Sequence, residues 1–289
     1  MKEMDDSRVS SSPIATTNLL SSNGVRWISA AVLAGQPWLW HGFSTRLGGV
    51  STPYSPRNAP SELNLGFTPA DSELDVGENR KRFISAVTDS RETPLVTVRQ
   101  THSNVSVVIK PPLDMIANLN QSVCDGDGLI TNQPGIVIGV QTADCIPVLV
   151  ADPAHYVVAA FHAGWRGTVE GIVEQGIVQM AAEFGSQPSD LVAAIGPGIG
   201  SCCYSVGQEV VERFTANFLY GRELFLDIES PHLNLIEANR RQLLTAGLKP
   251  ESIQVVGGCT SCNPQLFYSH RASAGYAGRM MSVIGVRTR

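Results

Sequence analysis

Residues 136–168 read IVIGVQTADCIPVLVADPAHYVVAAFHAGWRGT and contain three short apolar runs separated by turns. The runs are rich in β-branched residues, which favour strands. Several runs are apolar at nearly every position, which is typical of strands covered on both faces. Two earlier runs, LVTVRQ at 95–100 and VSVVI at 105–109, have the same character. This part of the chain therefore predicts the core of a sheet that is buried on both sides.

Helical patterns lie on either side of this core along the chain. Apolar residues between Thr168 and Phe184 recur with helical spacing, and Gly185 stands where a left-handed C-cap would end the helix. A further helix is predicted over about 71–87, where Asp71 or Ser72 can cap its start. The remaining predicted elements are helices over about 208–218 and 233–246 and strands over 25–34, 38–44, 191–196, 253–258 and 281–286.

This alternation of strands and helices indicates the α/β or α+β class with mixed sheets. A chain of 289 residues with 43% hydrophobic residues can build one large core, so we expect a single domain over 25–289. Residues 1–24 are rich in Ser and Thr and lack the apolar segment of a signal peptide. We therefore expect a disordered tail over 1–24.

Charge and hydropathy exclude several classes of partner. The net charge is −5, and no segment contains a run of clustered basic residues that could bind along a phosphate backbone. We therefore expect no nucleic-acid partner. No stretch of about 18 apolar residues indicates a membrane span. The six cysteines, without a secretion signal, favour thiols or metal ligands over disulfides. We expect a cytoplasmic protein, and no protein partner is evident.

Three segments each place a metal-capable side chain at a strand end or turn. They are VRQTHSN with His102, QTADCIP with Cys145 and FHAGWRGT with His162. Two imidazoles and one thiolate are good zinc ligands, and a set of three leaves a fourth position for water or substrate. The spacing alone leaves the alternative open that Cys145 is a core residue and that each histidine is a neutral, hydrogen-bonded ring.

The sequences of these and other segments resemble motifs of the YfiH/laccase-domain family, formerly the multicopper polyphenol oxidoreductase family. The shared motifs follow one order along the chain, from HGFSTRLGGVS at 41–51 and LNLG at 63–66 to CTSC at 259–262 and GRM at 278–280. Between them lie GENR at 77–80, VRQTH at 98–102, DGDGLIT at 125–131, QTADCIPVLVAD at 141–152, HAGWRGT at 162–168 and AAIGPGIGSCCYSVGQEV at 193–210. The resemblance covers nearly everything after the tail.

The resemblance implies a single-domain layered α/β/β/α sandwich and a zinc site formed by His102, Cys145 and His162. Members of the family are associated with phosphorolysis of adenosine, guanosine, inosine and methylthioadenosine, and with deamination of adenosine. The implied partners are therefore small molecules, a purine nucleoside and phosphate. One segment departs from the family, because residues 269–275 read SHRASAG where a second Arg and an Asp are usual. That departure puts the substrate range in doubt.

Further residues are candidates for substrate binding and proton transfer. Arg46, in a glycine-flanked loop, and Arg166, four residues after His162, can bind phosphate or a ribose oxygen, and Ser44 can assist. Each arginine can equally pair with an acidic neighbour. Asp144, Asp127 and His41 are candidates for proton transfer or for orienting other groups.

Other zinc and copper enzymes fit the sequence less well. Cytidine-deaminase-type enzymes use an H-x-E motif, whereas Gly164 stands where that Glu would be. Adenosine deamination with a different acid or base remains open. A multicopper oxidase needs more ligands than six histidines without an H-x-H motif offer, although copper bound at the same three residues can explain weak polyphenol oxidation.

Two alternatives do not involve zinc catalysis. Cys145 can act as the nucleophile of a Cys–His hydrolase with His102 or His162 as base, and related bacterial proteins have been linked to peptidoglycan-precursor editing. In the second alternative, Cys202, Cys203, Cys259 and Cys262 hold a structural zinc. Adjacent cysteines project in different directions, so Cys202 and Cys203 are poorly placed to share one metal. A redox pair at Cys259-x-x-Cys262, or packing and turn formation, are the other roles left open for these cysteines.

Overall fold

The computed structural model describes residues 19–55, 59–111, 122 and 124–288, and the predicted apolar runs form strands in it. The strands are β1 Leu19–Ser22, β2 Val25–Ile28, β3 Leu39–Ser44, β4 Leu47–Ser51, β5 Leu95–Thr97, β6 Ser106–Ile109, β7 Gly128–Thr131, β8 Val137–Thr142, β9 Ile146–Asp152, β10 Val157–Ala163, β11 Val192–Ile195, β12 Ile253–Val255 and β13 Met280–Val286. Two six-stranded sheets result, with the orders β1-β2-β3-β13-β8-β5 and β12-β11-β9-β10-β7-β6. Both are mixed, because the β5–β8, β6–β7 and β11–β12 pairs are parallel and the others are antiparallel.

The two sheets pack face to face, which explains why the central strands are apolar at nearly every position. In β9, Leu149 and Ala151 lie in the cluster between the sheets, whereas Val148 and Val150 lie in the cluster on the outer face. Because successive side chains in a strand point to opposite faces, both faces of β9 need apolar residues. Every residue of β9 and β10 is buried.

The helices are α1 Ala31–Ala34, α2 Glu73–Thr88, α3 Trp165–Val169, α4 Ile172–Phe184, α5 Gln208–Asn217 and α6 Leu235–Thr245. Leu33 of α1 packs in the cluster between the sheets, and the other helices cover the outer face of a sheet. Phe83 and Ile84 of α2 pack on the first sheet, and α3 to α6 pack on the second. The predicted α/β/β/α sandwich is therefore confirmed. Among the described residues, no helix has both the length and the hydropathy needed to cross a membrane.

Three predicted boundaries are corrected by the structure. Leu19–Ser22, placed by the sequence in a disordered tail, form β1 and pair with β2, and Asn23 and Gly24 form the turn between them. Residues 1–18 of that predicted tail lie outside the described residues. The strand predicted over 25–34 ends at Ile28 and is followed by α1. The helix predicted from Thr168 is divided into α3 and α4 at Gly171, whose φ of 79° lies in the left-handed region.

Gly176 in α4 fixes how closely this helix approaches the second sheet. A Cβ at this position would lie 2.3 Å from ring atoms of Phe161 in β10. Gly→Ala in an exposed helix stabilises by about 1 kcal/mol, but overpacking a core costs about 1–3 kcal/mol. We therefore expect Gly176→Ala to lower the free energy of unfolding in urea, although the higher helix propensity of alanine alone would raise it. Val178→Ala, at an exposed position of the same helix, should change it by less than about 0.5 kcal/mol; a stabilised Gly176→Ala protein would contradict the close contact.

Candidate functional site

The three predicted metal ligands converge where β9 begins and β10 ends. Cys145 directly precedes β9, and His162 lies in β10 opposite Pro147 of β9, so the antiparallel pairing brings the two together. His102 reaches them from the loop after β5, with a left-handed φ of 61°. The ligand atoms of His102, Cys145 and His162 all lie within 4.8 Å of one another. The three residues thus form a group that could hold a metal ion.

Asp127, directly before β7, positions both histidines. Its Oδ1 accepts hydrogen bonds from His162 Nδ1 at 2.7 Å and from the backbone N–H of His102 at 3.0 Å. Its Oδ2 accepts from the N–H groups of Thr101 and Ser103 and from the Ser103 hydroxyl. A carboxylate on the second ring nitrogen fixes the tautomer that leaves Nε2 free to bind a metal. Asp127 is therefore a positioning residue.

The charges of this cluster favour the thiolate that a metal requires. Burial alone would raise the pKa of Cys145, but the neighbouring His162 and His102 lower it to about 6. Burial would lower the pKa of His162, but the Cys145 thiolate and Asp127 raise it to about 9. Hydrogen bonds from His162 and Ser103 hold the pKa of Asp127 well below its usual range, against the effect of its burial. At neutral pH these two values describe a thiolate–imidazolium pair, so a metal ion that binds here would displace the proton from His162.

Gly164 leaves no room for a side chain beside the ligands. A Cβ here would lie 2.9 Å from Cδ2 of His102 and 3.0 Å from Sγ of Cys145. This is the position at which cytidine-deaminase-type enzymes carry their proton-transferring Glu. A glutamate at 164 would displace the ligands themselves, so any general acid must come from another element.

A cavity of about 620 Å³ opens onto the three ligands, and its wall is strongly basic. The lining includes the five arginines Arg80, Arg99, Arg166, Arg271 and Arg279, together with Asp144 and Tyr204. Arg99 is paired with Asp125, and the other four guanidinium groups against the Asp144 carboxylate give this cavity a positive field, although the whole chain is acidic. The cavity is therefore suited to an anionic ligand.

Several of these arginines are held in place by the protein. Arg279 Nη1 donates to the backbone carbonyls of Ala277 and Gly278 at 2.7 and 3.1 Å. Arg271 Nη1 donates to the carbonyl and hydroxyl oxygens of Ser205. The guanidinium of Arg166 lies 4.5 Å from the centre of the Trp165 ring. Groups that are ordered before binding lose less side-chain entropy when they bind an anion.

Asp144 lines the cavity, but both of its carboxylate oxygens accept hydrogen bonds from other residues of the protein. Oδ1 accepts from the Thr260 hydroxyl at 2.6 Å, and Oδ2 accepts from the backbone N–H of Arg271 at 2.7 Å. Asp144 has φ of 96°, a conformation that is strained for a residue other than glycine. These bonds fix the residue before Cys145 and the segment that carries Arg271. These bonds favour the orienting role that the sequence left open for Asp144, and its role in catalysis stays a prediction.

Ser44 and Arg46 do not line the cavity, so we replace them as substrate-binding candidates. The buried Ser44 accepts the Met281 N–H through its hydroxyl, which ties β3 to β13. Arg46 Nη2 lies 2.7 Å from both carboxylate oxygens of Glu62, and its guanidinium lies over the ring of Tyr268. The acidic partner that sequence reasoning left open as the alternative for Arg46 is Glu62. Arg166 does line the cavity and therefore stays a candidate for substrate binding.

His41 is a third candidate that lies outside the cavity lining. Its Nε2 accepts the N–H of Ala30 at 3.0 Å, at the start of α1. Burial, together with the charge of Arg287, lowers its pKa to about 4. The ring is therefore neutral at physiological pH and supports the backbone.

This neutral histidine predicts a pH-dependent stability. In the unfolded chain the His41 ring takes up a proton below pH 6.5, whereas in the folded protein it stays neutral down to about pH 4. The contribution of His41 to the free energy of unfolding is therefore complete above pH 6.5 and is lost as the pH falls towards 4. We expect a loss of about 2–3 kcal/mol across this window in urea unfolding. His41→Gln should flatten the profile, whereas His232→Gln, at a position that is not buried, should leave the slope unchanged. Equal slopes for the wild type and His41→Gln would refute the assignment.

Sequence reasoning did not single out most of the cavity wall. Arg80 ends the GENR motif, Arg279 lies in GRM, and Arg271 lies in the segment that departs from the family. The signal was present in those ordered motifs. It was missed because nothing local shows that residues 80, 271 and 279 meet beside residue 145.

Comparisons with known proteins cover this whole region. The family described as multi-copper polyphenol oxidoreductase laccase matches residues 40–287. Purine nucleoside phosphorylase YlmD of Bacillus subtilis is 36% identical over 252 residues, which are 85% of this chain and 88% of the relative. Adenosine deaminase RL5, from an unknown prokaryotic organism, is 34% identical over 249 residues, 84% of this chain and 92% of the relative. The crystal structure of YlmD from Geobacillus stearothermophilus has a TM-score of 0.82 at 32% identity and covers 93% of this chain and 98% of that one.

Proposed function

Because this chain belongs to the multi-copper polyphenol oxidoreductase laccase family, we propose that it is a zinc-dependent purine nucleoside phosphorylase. Its substrates would be phosphate and the nucleosides adenosine, inosine, guanosine and methylthioadenosine. The name of the Bacillus subtilis relative supports the activity. We also propose a cytoplasmic location, where reducing conditions keep cysteine ligands available.

The basic cavity beside the ligand cluster is the observation that carries this proposal. In phosphorolysis a phosphate oxygen bonds to C1′ of the ribose while the bond from C1′ to the purine nitrogen breaks. The bonding electrons leave with the purine, which takes up a proton, and ribose 1-phosphate is the other product. A cavity lined by five arginines can concentrate and orient the phosphate for this displacement.

The ligand cluster fits zinc by its donor chemistry. Two imidazoles and a preformed thiolate suit zinc, and Asp127 holds His162 in the metal-binding tautomer. His102, Cys145 and His162 would hold the ion. When bound, zinc supplies Lewis-acid stabilisation of negative charge that develops on the substrate. Copper can occupy the same three residues in vitro.

The chain's own residues account for binding and for a hydrogen bond to the substrate. Arg271 and Arg279, anchored by backbone carbonyls, present fixed positive charge to the phosphate. Burial and the nearby Cys145 raise the pKa of Tyr204, so its hydroxyl stays protonated at neutral pH. That hydroxyl is a hydrogen-bond donor in the cavity wall and can stabilise a developing negative charge.

The test is to incubate the purified protein with adenosine, with and without phosphate, and to separate the products chromatographically. We expect adenine and ribose 1-phosphate only when phosphate is present. Arg279→Gln should raise the KM for phosphate by about tenfold or more, because one charged anion contact is worth about 1.5–3 kcal/mol. Arg222→Gln, at an exposed position outside the cavity, is the matched control. Absence of any nucleoside product would refute the proposal.

Adenosine deamination is the second candidate, supported by the relative named adenosine deaminase RL5. Deamination consumes water and releases ammonia, so it needs no phosphate. Inosine formed equally with and without phosphate would assign deamination as the main activity in place of phosphorolysis. The same assay therefore separates the two reactions.

A further inference from the structure

Four cysteines outside the cavity meet at one point on the surface. Cys202 and Cys203 lie in the loop between β11 and α5, and Cys259 and Cys262 lie in the turn after β12. All four Sγ atoms lie within 4.8 Å of one another. The sequence indicated that the adjacent Cys202 and Cys203 are poorly placed to share one metal, but the Sγ atoms of both lie close to Cys262 Sγ, so the group could hold one ion.

The spacing of the sulfur atoms matches a tetrahedral metal site. Cys262 Sγ lies 3.5 Å from Cys202 Sγ and 3.4 Å from Cys203 Sγ. Four thiolates bound tetrahedrally at about 2.3 Å from zinc would lie about 3.8 Å from one another. The cysteines are thus close to a four-sulfur arrangement and need only small adjustments to reach it.

The backbone around the cluster favours an anionic sulfur at one position. The N–H of Gly200 donates to Cys259 Sγ at 3.2 Å. This hydrogen bond is stronger when the sulfur is a thiolate, which is the form that binds a metal.

We propose that Cys202, Cys203, Cys259 and Cys262 bind a second zinc ion with a structural role. Four thiolates are soft ligands that select zinc over magnesium, calcium or manganese. A complete set of four leaves no open position, which distinguishes this ion from the one proposed for His102, Cys145 and His162. The inference does not rest on the proposed function.

The position of the cluster indicates what the ion would stabilise. Thr260, which lies between two of the cysteines, donates its hydroxyl to Asp144, and Ile199 donates its N–H to the Asp144 carbonyl. Tyr204, next to Cys203, lines the cavity. Zinc would therefore join the two loops that hold the residue preceding Cys145 and one wall of the cavity.

Metal analysis of the full-length protein, after loosely bound metal has been removed on a chelating resin, tests the proposal. We expect about two zinc ions per chain in the wild type and about one in Cys262→Ser. Cys145→Ala should also retain about one, from the other site, and the double variant about none. Cys124→Ser, which removes an exposed thiol outside both clusters, should retain the wild-type zinc content.

A measurement on the unmodified protein keeps the proposal testable if Cys262→Ser does not fold. Zinc X-ray absorption should report an average of about 2.5 sulfur ligands per zinc if both sites are filled, and about one if only the His/Cys/His site is filled. Unchanged zinc in Cys262→Ser, copper or iron at the cluster, or fewer than six titratable thiols in denatured, unreduced protein would each overturn the proposal.

Discussion

Replacing Cys145 with alanine should remove the zinc of the proposed catalytic site and lower kcat/KM for phosphorolysis by at least about a thousandfold. The thiolate is the one anionic ligand of the three, and its charge balances the cation. Only two imidazoles would remain, of which His162 is fixed by Asp127 and His102 by its strained loop. Zinc content and steady-state kinetics on adenosine and phosphate are the measurements.

The control for this variant is Cys124→Ala, which should keep both zinc and activity because Cys124 is exposed and belongs to neither cysteine group. The alternative in which Cys145 is the nucleophile of a Cys–His hydrolase predicts a different pattern. There, iodoacetamide would alkylate Cys145 in zinc-loaded protein, since a nucleophile must be accessible. Alkylation of Cys145 with inactivation of the zinc-loaded protein, or a Cys145→Ala protein that keeps the wild-type zinc content and activity, would refute the metal assignment.

Asp127→Asn should have the second-largest effect, because no orientation of an amide can satisfy the groups that surround this carboxylate. Both oxygens accept hydrogen bonds, Oδ1 from His102 and His162 and Oδ2 from Thr101 and Ser103. Whichever oxygen becomes NH₂ then faces N–H donors. We expect zinc affinity to fall by about 10–100-fold, measured by competition with a chromogenic chelator, and the protein to lose about 1–3 kcal/mol of stability.

Asp152→Asn is a matched control for this variant. Asp152 is also buried and accepts from a histidine, His155, at 2.8 Å and from the N–H of Ala154 at 2.8 Å. Its replacement should lower stability while leaving zinc affinity unchanged. If the two variants lowered zinc affinity equally, the effect of Asp127 would be one of general destabilisation, and its positioning role would be lost.

The layers of the fold were predictable because a strand that is buried on both faces needs apolar residues at successive positions. The alternation of Val148, Leu149, Val150 and Ala151 between two apolar environments requires a strand covered on both faces. The strand that ends at Ala163 also places His162 near its end. The break at Gly171 was not predicted because the apolar spacing continues through it, and only the φ of 79° shows that the helix stops.

The cavity wall was less predictable because its residues come from distant segments. Arg46 has the sequence surroundings of an anion-binding residue, yet its guanidinium pairs with Glu62, which no local pattern indicates. Arg80 and Arg279 lie far apart in the chain, but both line the cavity. Such convergence depends on strand order, and short-range periodicity carries no information about strand order.

The position of β13 in the first sheet has a consequence for biosynthesis. This strand is the last element in chain order, yet it lies between β3 and β8 and pairs with both. Pairings between distant segments form late, and domains fold as their parts emerge during translation. His102, Cys145 and His162 emerge well before Arg279 and β13. A nascent chain can therefore bring its metal ligands together while Arg271 and Arg279 of the cavity wall are still being synthesised.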